Sequence, residues 1–200
     1  MFPKRLCEGY QTFLEGRFHS ESSRYQALAE KGQNPEILII GCCDSRVSPD
    51  AIFDAGPGEM FVVRNVANLV PPYDPDHESS YHGTSAAIEF AVNGLNVKHI
   101  VVLGHASCGG IRSFFDDAKP LSKVDFIGKW MSQITPVAER LGPGTGDRAA
   151  NKYQTPGTGR DRAQLEQPAD LPLDSQPGGP RHLATTRNLL RRDDRRIILA

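Results

Sequence analysis

The chain has 200 residues, 38% of them hydrophobic and 24% charged, which suits one domain of ordinary globular composition. A formal net charge of −1 excludes a chain-wide basic surface for nucleic acid or an anionic membrane, and no stretch approaches the roughly 18 apolar residues of a membrane span. Four cysteines are too few for a disulfide-rich secreted domain, and the first residues lack a signal-peptide core, so we expect a cytoplasmic protein whose cysteines bind metal or act in catalysis.

The chain opens with a helical pattern. Apolar residues recur on one stripe of a helix at Tyr10, Phe13, Leu14 and Phe18, and a second, short helix is predicted over residues 24–31. An isoleucine-rich run follows at 36–40. Because this run is too short for a helix and is bounded by Gly41, it predicts a buried strand.

Two more apolar runs, at 60–64 and 99–103, predict a second and a third strand. Between them a crossover helix is predicted from residues at helical spacing, with Asn93-Gly94 as a stop signal: Thr84, Ile88, Ala91 and Leu95. A longer helix, kinked at Pro136, is predicted from Val124, Ile127, Met131, Ile134 and Leu141. This alternation predicts an α/β fold with a parallel β-sheet core flanked by helices and an N-terminal helical arm.

Residues 151–200 differ from the first 150. Tyr153 is the only aromatic residue among them, and prolines interrupt the short aliphatic clusters, so no helical or strand period is sustained. We expect one domain at 1–150, followed by an irregular, disordered C-terminal tail at 151–200. The tail resembles the translation of a shifted reading frame of GC-rich DNA, a hypothesis that resequencing of the coding region would test.

Two of the predicted strands end in a glycine that a potential metal ligand follows, in Gly41-Cys42 and Gly104-His105. Because the carboxyl ends of parallel strands share one edge of a sheet, Cys42 and His105 can meet there. Cys108, three residues after His105, can join them on one turn. Two thiolates and one imidazole without a fourth protein ligand form the arrangement of a catalytic zinc ion. The adjacent Cys43 should point the other way.

Asp44 and Arg46 follow the first ligand directly. Two thiolates cancel the formal charge of Zn²⁺, so neighbouring groups must contribute more to the activation of a bound water. Asp44 would orient that water as a hydrogen-bond acceptor, and Arg46 would keep Asp44 ionised. The alternative is a solvated loop ion pair that contributes little.

These residues resemble the two signatures of the β-class carbonic anhydrases, C-x-D-S-R and H-x-x-C-G, and the likeness continues through 53–59, 63–68 and 83–90 to cover about residues 8–142. The resemblance implies a zinc lyase that reversibly hydrates CO2 to bicarbonate and a proton. It also implies one Zn²⁺ per chain on Cys42, His105 and Cys108, and a catalytic dyad of Asp44 and Arg46.

The same resemblance assigns residues that contact the substrate. Gln33 stands nine residues before Cys42, as in the plant-type branch, where it acts across a dimer interface. Phe61, Val66 and Phe90 would line an apolar CO2 pocket, and Gly109 would offer a backbone N–H near the reacting oxygen.

The family also implies a homodimer or a higher homo-oligomer. Its usual C-terminal strand has no recognisable counterpart in the tail, so we expect impaired assembly and low turnover. Ile39 stands where the branch with a regulatory bicarbonate site has tryptophan, so we do not predict that site.

Three alternatives stay open from the sequence. The first is a hydrolase of carbonyl sulfide or carbon disulfide on the same scaffold, and the second is an inactive, zinc-stabilised binding module. The third is a thiol redox protein that uses Cys42 and Cys43, although adjacent cysteines lack the C-x-x-C spacing of common dithiol exchangers.

Overall fold

The computed structural model describes residues 2–72, 83–116 and 119–141, so the predictions for the tail at 151–200 lie outside the described residues. The helices and strands in chain order are α1 (Lys4–Glu15), α2 (Arg17–Lys31), β1 (Ile37–Cys42), α3 (Pro49–Ile52), β2 (Met60–Asn65), α4 (Gly83–Glu89), β3 (His99–Leu103), α5 (Gly109–Phe115), α6 (Phe126–Met131) and α7 (Thr135–Leu141). Short 3₁₀ turns lie at Ser45–Val47, Val66–Asn68 and Ser132–Ile134, and a π turn lies at Phe90–Gly94.

The three strands form a parallel sheet with β1 in the centre, in the order β2-β1-β3. Ile37 pairs with both Met60 and His99, and the register continues to Cys42 opposite Asn65. After Ile37, β1 is buried to its end, whereas β2 and most of β3 are half-buried, because they lie at the edges of the described sheet. The prediction of a parallel α/β sheet is confirmed.

Two apolar clusters flank the sheet. The first packs α4 and the π turn against the middle of β1, through Leu38, Ile40, Ile88, Ala91, Val92 and Val97. This confirms the crossover helix, which ends where the stop signal predicts. The second cluster lies beyond the carboxyl end of β1 and contains Cys42, Val47, Ala67, Leu69, Cys108, Met131 and Ile134. Two of the predicted metal ligands therefore belong to the core.

The limits predicted for the N-terminal helices are wrong. Gly16 ends α1 and its N–H donates to Thr12, so Phe18 belongs to α2, which begins seven residues before the predicted start. The two helices nevertheless bring the predicted stripe together, because the rings of Phe13 and Phe18 pack 5.6 Å apart across the break. Sequence periodicity detected the shared apolar surface but not the turn within it.

The single long helix predicted after β3 is also wrong. Val124 precedes α6 and is 51% exposed, and a 3₁₀ turn separates α6 from α7. The cause is Pro136, which has no N–H for the next helical hydrogen bond. A 3₁₀ turn forms before it, in which the N–H of Thr135 donates to the carbonyl of Ser132. Met131 and Ile134 are buried as their spacing predicts.

Asn65 ties the end of β2 to the turn that follows and to α4. Its Nδ2 donates to the carbonyl of Leu69 at 2.8 Å and to Oγ1 of the buried Thr84 at 3.1 Å, and its Oδ1 accepts from the N–H of Leu69 at 2.8 Å. The enclosed turn holds Ala67 and Asn68 at φ values of 64° and 47°. These bonds stabilise a conformation that L-residues disfavour.

We predict that Asn65→Ala lowers the free energy of unfolding by about 2–4 kcal/mol, because it removes three hydrogen bonds and leaves part-buried partners unsatisfied. Denaturant unfolding measures the change. Asn93→Ala, at an exposed position, is the control and should stay within about 0.5 kcal/mol of the wild type. Equal effects of the two substitutions would contradict this role of Asn65.

Candidate metal centre

The three predicted metal ligands meet at the carboxyl edge of the sheet. Cys42 is the last residue of β1, not the first residue after it as the sequence predicts, because the pairing with Asn65 extends the strand. His105 lies two residues after β3, and Cys108 is the N-cap of α5. Their ligand atoms all lie within 4.8 Å of one another, and the two sulfurs are 3.9 Å apart.

The neighbouring cysteine points away from this cluster. Cys42 is 4% exposed, whereas Cys43 is exposed to solvent and its backbone N–H donates to the carbonyl of Asn65 at 2.9 Å. Cys7 is exposed on α1. Within residues 2–72, 83–116 and 119–141, no fourth cysteine, histidine or acidic ligand joins the three, so the arrangement leaves one coordination position open.

The chemistry of the three side chains fits a zinc ion. The side chain of His105 is 7% exposed, and its buried Nε2 has no hydrogen-bond partner, while Nδ1 lies 3.0 Å from the carbonyl of Ala106. With the proton on Nδ1, the lone pair of Nε2 is free for a metal. Burial raises the pKa of the Cys108 thiol, so a bound cation favours the thiolate form of this sulfur. Zn²⁺ satisfies both needs.

Asp44 is held beside this cluster by Arg46. Nε of Arg46 donates to Oδ1 at 2.8 Å, Nη2 donates to Oδ2 at 2.7 Å, and the backbone N–H of Arg46 donates to Oδ1 at 3.0 Å. These hydrogen bonds hold the pKa of the Asp44 carboxyl well below its usual range. Because Oδ2 lies 3.7 Å from Nε2 of His105, the carboxylate of Asp44 borders the metal cluster.

Val66 and Gly109 lie beside the loop that carries Cys108. A Cβ atom at Gly110 would come within 2.8 Å of Cγ1 of Val66, so only glycine permits this close approach of α5. A Cβ atom at Gly109 would meet nothing within 4 Å, so space is open beside it. Trp130, which the sequence analysis did not single out, holds the backbone of Val66 beside α5, because its Nε1 donates to the carbonyl of Val66 at 2.7 Å.

Phe61, Phe90 and Gln33 do not share this space within one chain. Phe61 is in register with Leu38, four residues before Cys42, and therefore lies roughly 13 Å away along the strand. The rings of Phe61 and Phe90 pack 5.7 Å apart, and Phe90 and Gln33 line a separate surface cavity of about 600 Å³. Phe61 therefore lies apart from the metal cluster within one chain, and a CO2 pocket lined by Phe61, Val66 and Phe90 stays a prediction.

Comparison with known proteins gives a consistent result. A family model described as carbonic anhydrase matches residues 37–165. Beta carbonic anhydrase 3 of Arabidopsis thaliana is 37% identical over 140 residues, which are 69% of this chain and 53% of that protein. Chloroplastic beta carbonic anhydrase 5 of the same plant is 42% identical over 126 residues, which are 63% and 40% of the two chains. The chain thus spans about half the length of these relatives.

The fold agrees with that of a solved relative. Tetrameric β-carbonic anhydrases from the ascomycete Sordaria macrospora are similar with a TM-score of 0.59 and 31% identity, and the alignment covers 75% of this chain and 74% of that one.

In the part of the chain that the structure describes, no helix is long and apolar enough to cross a membrane.

We predict one zinc ion per chain and its loss in Cys108→Ser, because a serine hydroxyl remains protonated where the thiolate would bind. Elemental analysis after exhaustive dialysis measures the metal content. Cys43→Ser is the matched control and should keep its zinc. Undiminished zinc in Cys108→Ser, or its loss from Cys43→Ser, would show that the ligands are assigned wrongly.

Proposed function

Since the chain belongs to the β-carbonic anhydrase family, we propose that it catalyses the reversible hydration of carbon dioxide to bicarbonate and a proton. Cys42, His105 and Cys108 would hold the zinc ion of this reaction. The observation that carries the proposal is the position of Asp44, whose Oδ2 lies 3.7 Å from the unpartnered Nε2 of His105 while Arg46 fixes its orientation.

Zinc, when bound, supplies a Lewis acid that lowers the pKa of water in the site. The chain's own contribution begins with Asp44. Its Oδ1 already accepts two hydrogen bonds from Arg46, whereas Oδ2 accepts one and keeps a lone pair on the side of His105. Because Arg46 lowers the pKa of Asp44, the carboxylate remains an acceptor at neutral pH and orients a water molecule by its proton.

The surroundings of the site suit a small apolar substrate. Carbon dioxide carries no charge and needs space that is poor in hydrogen-bonding groups beside the reacting water. Val66 supplies an apolar wall, and the open space beside Gly109 leaves room at the start of α5. We propose that the backbone N–H of Gly109 stabilises charge that develops on the substrate oxygen.

We further propose a homodimer in which Gln33, Phe61 and Phe90 of one chain complete the site of the other. Phe90, which lines the separate cavity with Gln33, is 52% exposed, and Val66, which lies beside α5, is 38% exposed. Apolar side chains are therefore available on both surfaces. Contact between two such surfaces would bury both. The tetrameric Sordaria macrospora relatives show that similar chains assemble.

We also propose a domain division and a cellular location for the chain. The first is the division into a zinc domain at 1–150 and a tail at 151–200, although the family match continues to residue 165. The second is a cytoplasmic location, which cell fractionation would test because one relative is named chloroplastic.

We predict that Asp44→Asn slows CO2 hydration roughly a hundredfold while zinc stays bound, because the amide lacks the ionised acceptor that orients the water. Stopped-flow hydration at saturating buffer measures the rate. Asp50→Asn removes an exposed carboxylate in the first turn of α3 and should leave the rate unchanged. If Asp44→Asn is as fast as the wild type, the ion pair is only structural. A wild type that hydrolyses carbonyl sulfide but not CO2 would favour the hydrolase.

We predict that two inactive variants restore activity when they are mixed. Gln33→Ala keeps the metal ligands but lacks the side-chain amide that would act in the partner's site. Cys108→Ser lacks the metal but keeps this amide. In a mixed dimer one site has both, so unfolding and refolding an equal mixture should restore about a quarter of wild-type sites. Asp44→Asn mixed with Cys108→Ser is the control. It should restore nothing, because every metal-bearing site then lacks its own Asp44.

A further inference from the structure

Arg64, near the end of β2, contacts the segment that carries both a metal ligand and the catalytic carboxylate. Its Nε donates to the carbonyl of Cys42 at 2.9 Å, and its Nη2 donates to the carbonyl of Asp44 at 2.8 Å. These two carbonyls flank Cys43. One guanidinium group therefore holds the main chain on both sides of the residue that separates the ligand from the carboxylate.

Arg64 acts where the sheet no longer guides the chain. The pairing of β1 with β2 ends at Cys42 and Asn65, and the last main-chain bond between the two segments runs from the N–H of Cys43 to Asn65 at 2.9 Å. The 3₁₀ turn at Ser45–Val47 follows at once. The two bonds from Arg64 thus continue the contact between β1 and β2 beyond the last paired residue.

The guanidinium of Arg64 has a different use from that of Arg46. Arg46 pairs with the carboxylate of Asp44, whereas Arg64 forms no ion pair with any residue in 2–72, 83–116 or 119–141. Hydrogen bonds from a charged donor are stronger than those from a neutral one, and the planar fork of arginine fixes the direction of two of them together. In this structure the fork spans the carbonyls of Cys42 and Asp44.

We infer that Arg64 is a positioning residue that sets the placement of the Asp44 carboxylate relative to the Cys42 sulfur. Arg64 touches neither substrate nor metal, and it acts through the backbone of residues 42–44. Its effect on turnover rests on the proposed function, in which the Asp44 carboxylate orients the reacting water. A displacement of about 1 Å between that water and its acceptor lowers the rate by roughly a hundredfold. Its effect on the order of the loop does not rest on that function.

The test compares zinc-loaded full chains of the wild type, Arg64→Met and Arg64→Lys. Methionine keeps an unbranched apolar stem without donors, and lysine keeps the charge without the planar fork. Arg112→Met is the control, since the Arg112 side chain is 64% exposed and lies 3.9 Å from Asp116. Three properties are measured: the zinc content, the hydrogen exchange of individual backbone amides, and the rate of CO2 hydration.

Arg64→Met should keep its zinc, because all three ligands remain, and should hydrate CO2 roughly ten to a hundred times more slowly. The amide of Cys43 donates to the carbonyl of Asn65, and the amides of Arg46 and Val47 donate to Asp44. All three should exchange at least about tenfold faster, while the amides of Leu38 and Ile40 should not change. Arg64→Lys should lie between Arg64→Met and the wild type, and Arg112→Met should match the wild type.

Wild-type exchange at Cys43, Arg46 and Val47 in both Arg64 variants would overturn the inference. So would faster exchange throughout β1 or loss of zinc in both variants, because Arg64 would then support the whole core. If Arg64→Met does not fold, Arg64→Lys alone decides between these results. A zinc-loaded wild type without CO2 hydration would refute the proposed function, and the exchange data would still decide the role of Arg64.

Discussion

The parallel pairing of β1 with β2 on one side and β3 on the other is the constraint on which the site depends. It sends three carboxyl ends to one edge of the sheet, so Cys42 on β1 and His105 after β3 meet although 63 positions separate them in the sequence. Cys42 and Cys108 are also buried in the second apolar cluster. Packing of that cluster therefore brings the two cysteine ligands together.

Hydrogen bonds to the backbone stabilise the loops that surround this edge. Ser107, between His105 and Cys108, has a φ of 55°, a conformation that costs free energy in an L-residue, and its carbonyl accepts from Nη2 of Arg46 at 3.4 Å. The same guanidinium group binds the carboxylate of Asp44. Arg46 thus connects the segment after β1 to the segment after β3, so the dyad and the histidine ligand are positioned together.

The sequence predicted the parts of this arrangement that local pattern determines. Short apolar runs predicted the three strands, two of which end at a glycine, and strand direction alone placed Cys42 near His105. The alternation of side chains along a strand correctly predicted that Cys42 and Cys43 point in opposite directions, with Cys42 buried and Cys43 exposed. The sequence analysis missed the break at Gly16, and the interruption that it predicted at Pro136 lies in the 3₁₀ turn just before that residue. An apolar stripe continues across both interruptions, so periodicity does not locate them. Likewise, residue type could not show that Phe61 lies four residues along the strand from the level of Cys42, since that separation depends on register.

Titration of the metal-stripped chain with zinc is the most direct test of the proposal that this edge of the sheet is a zinc site that hydrates CO2. Stopped-flow hydration and bound zinc are measured at each step. We predict that the rate rises in proportion to bound zinc and reaches its plateau at one ion per chain. A rate that stays at the buffer background with one zinc bound per chain would contradict the claim.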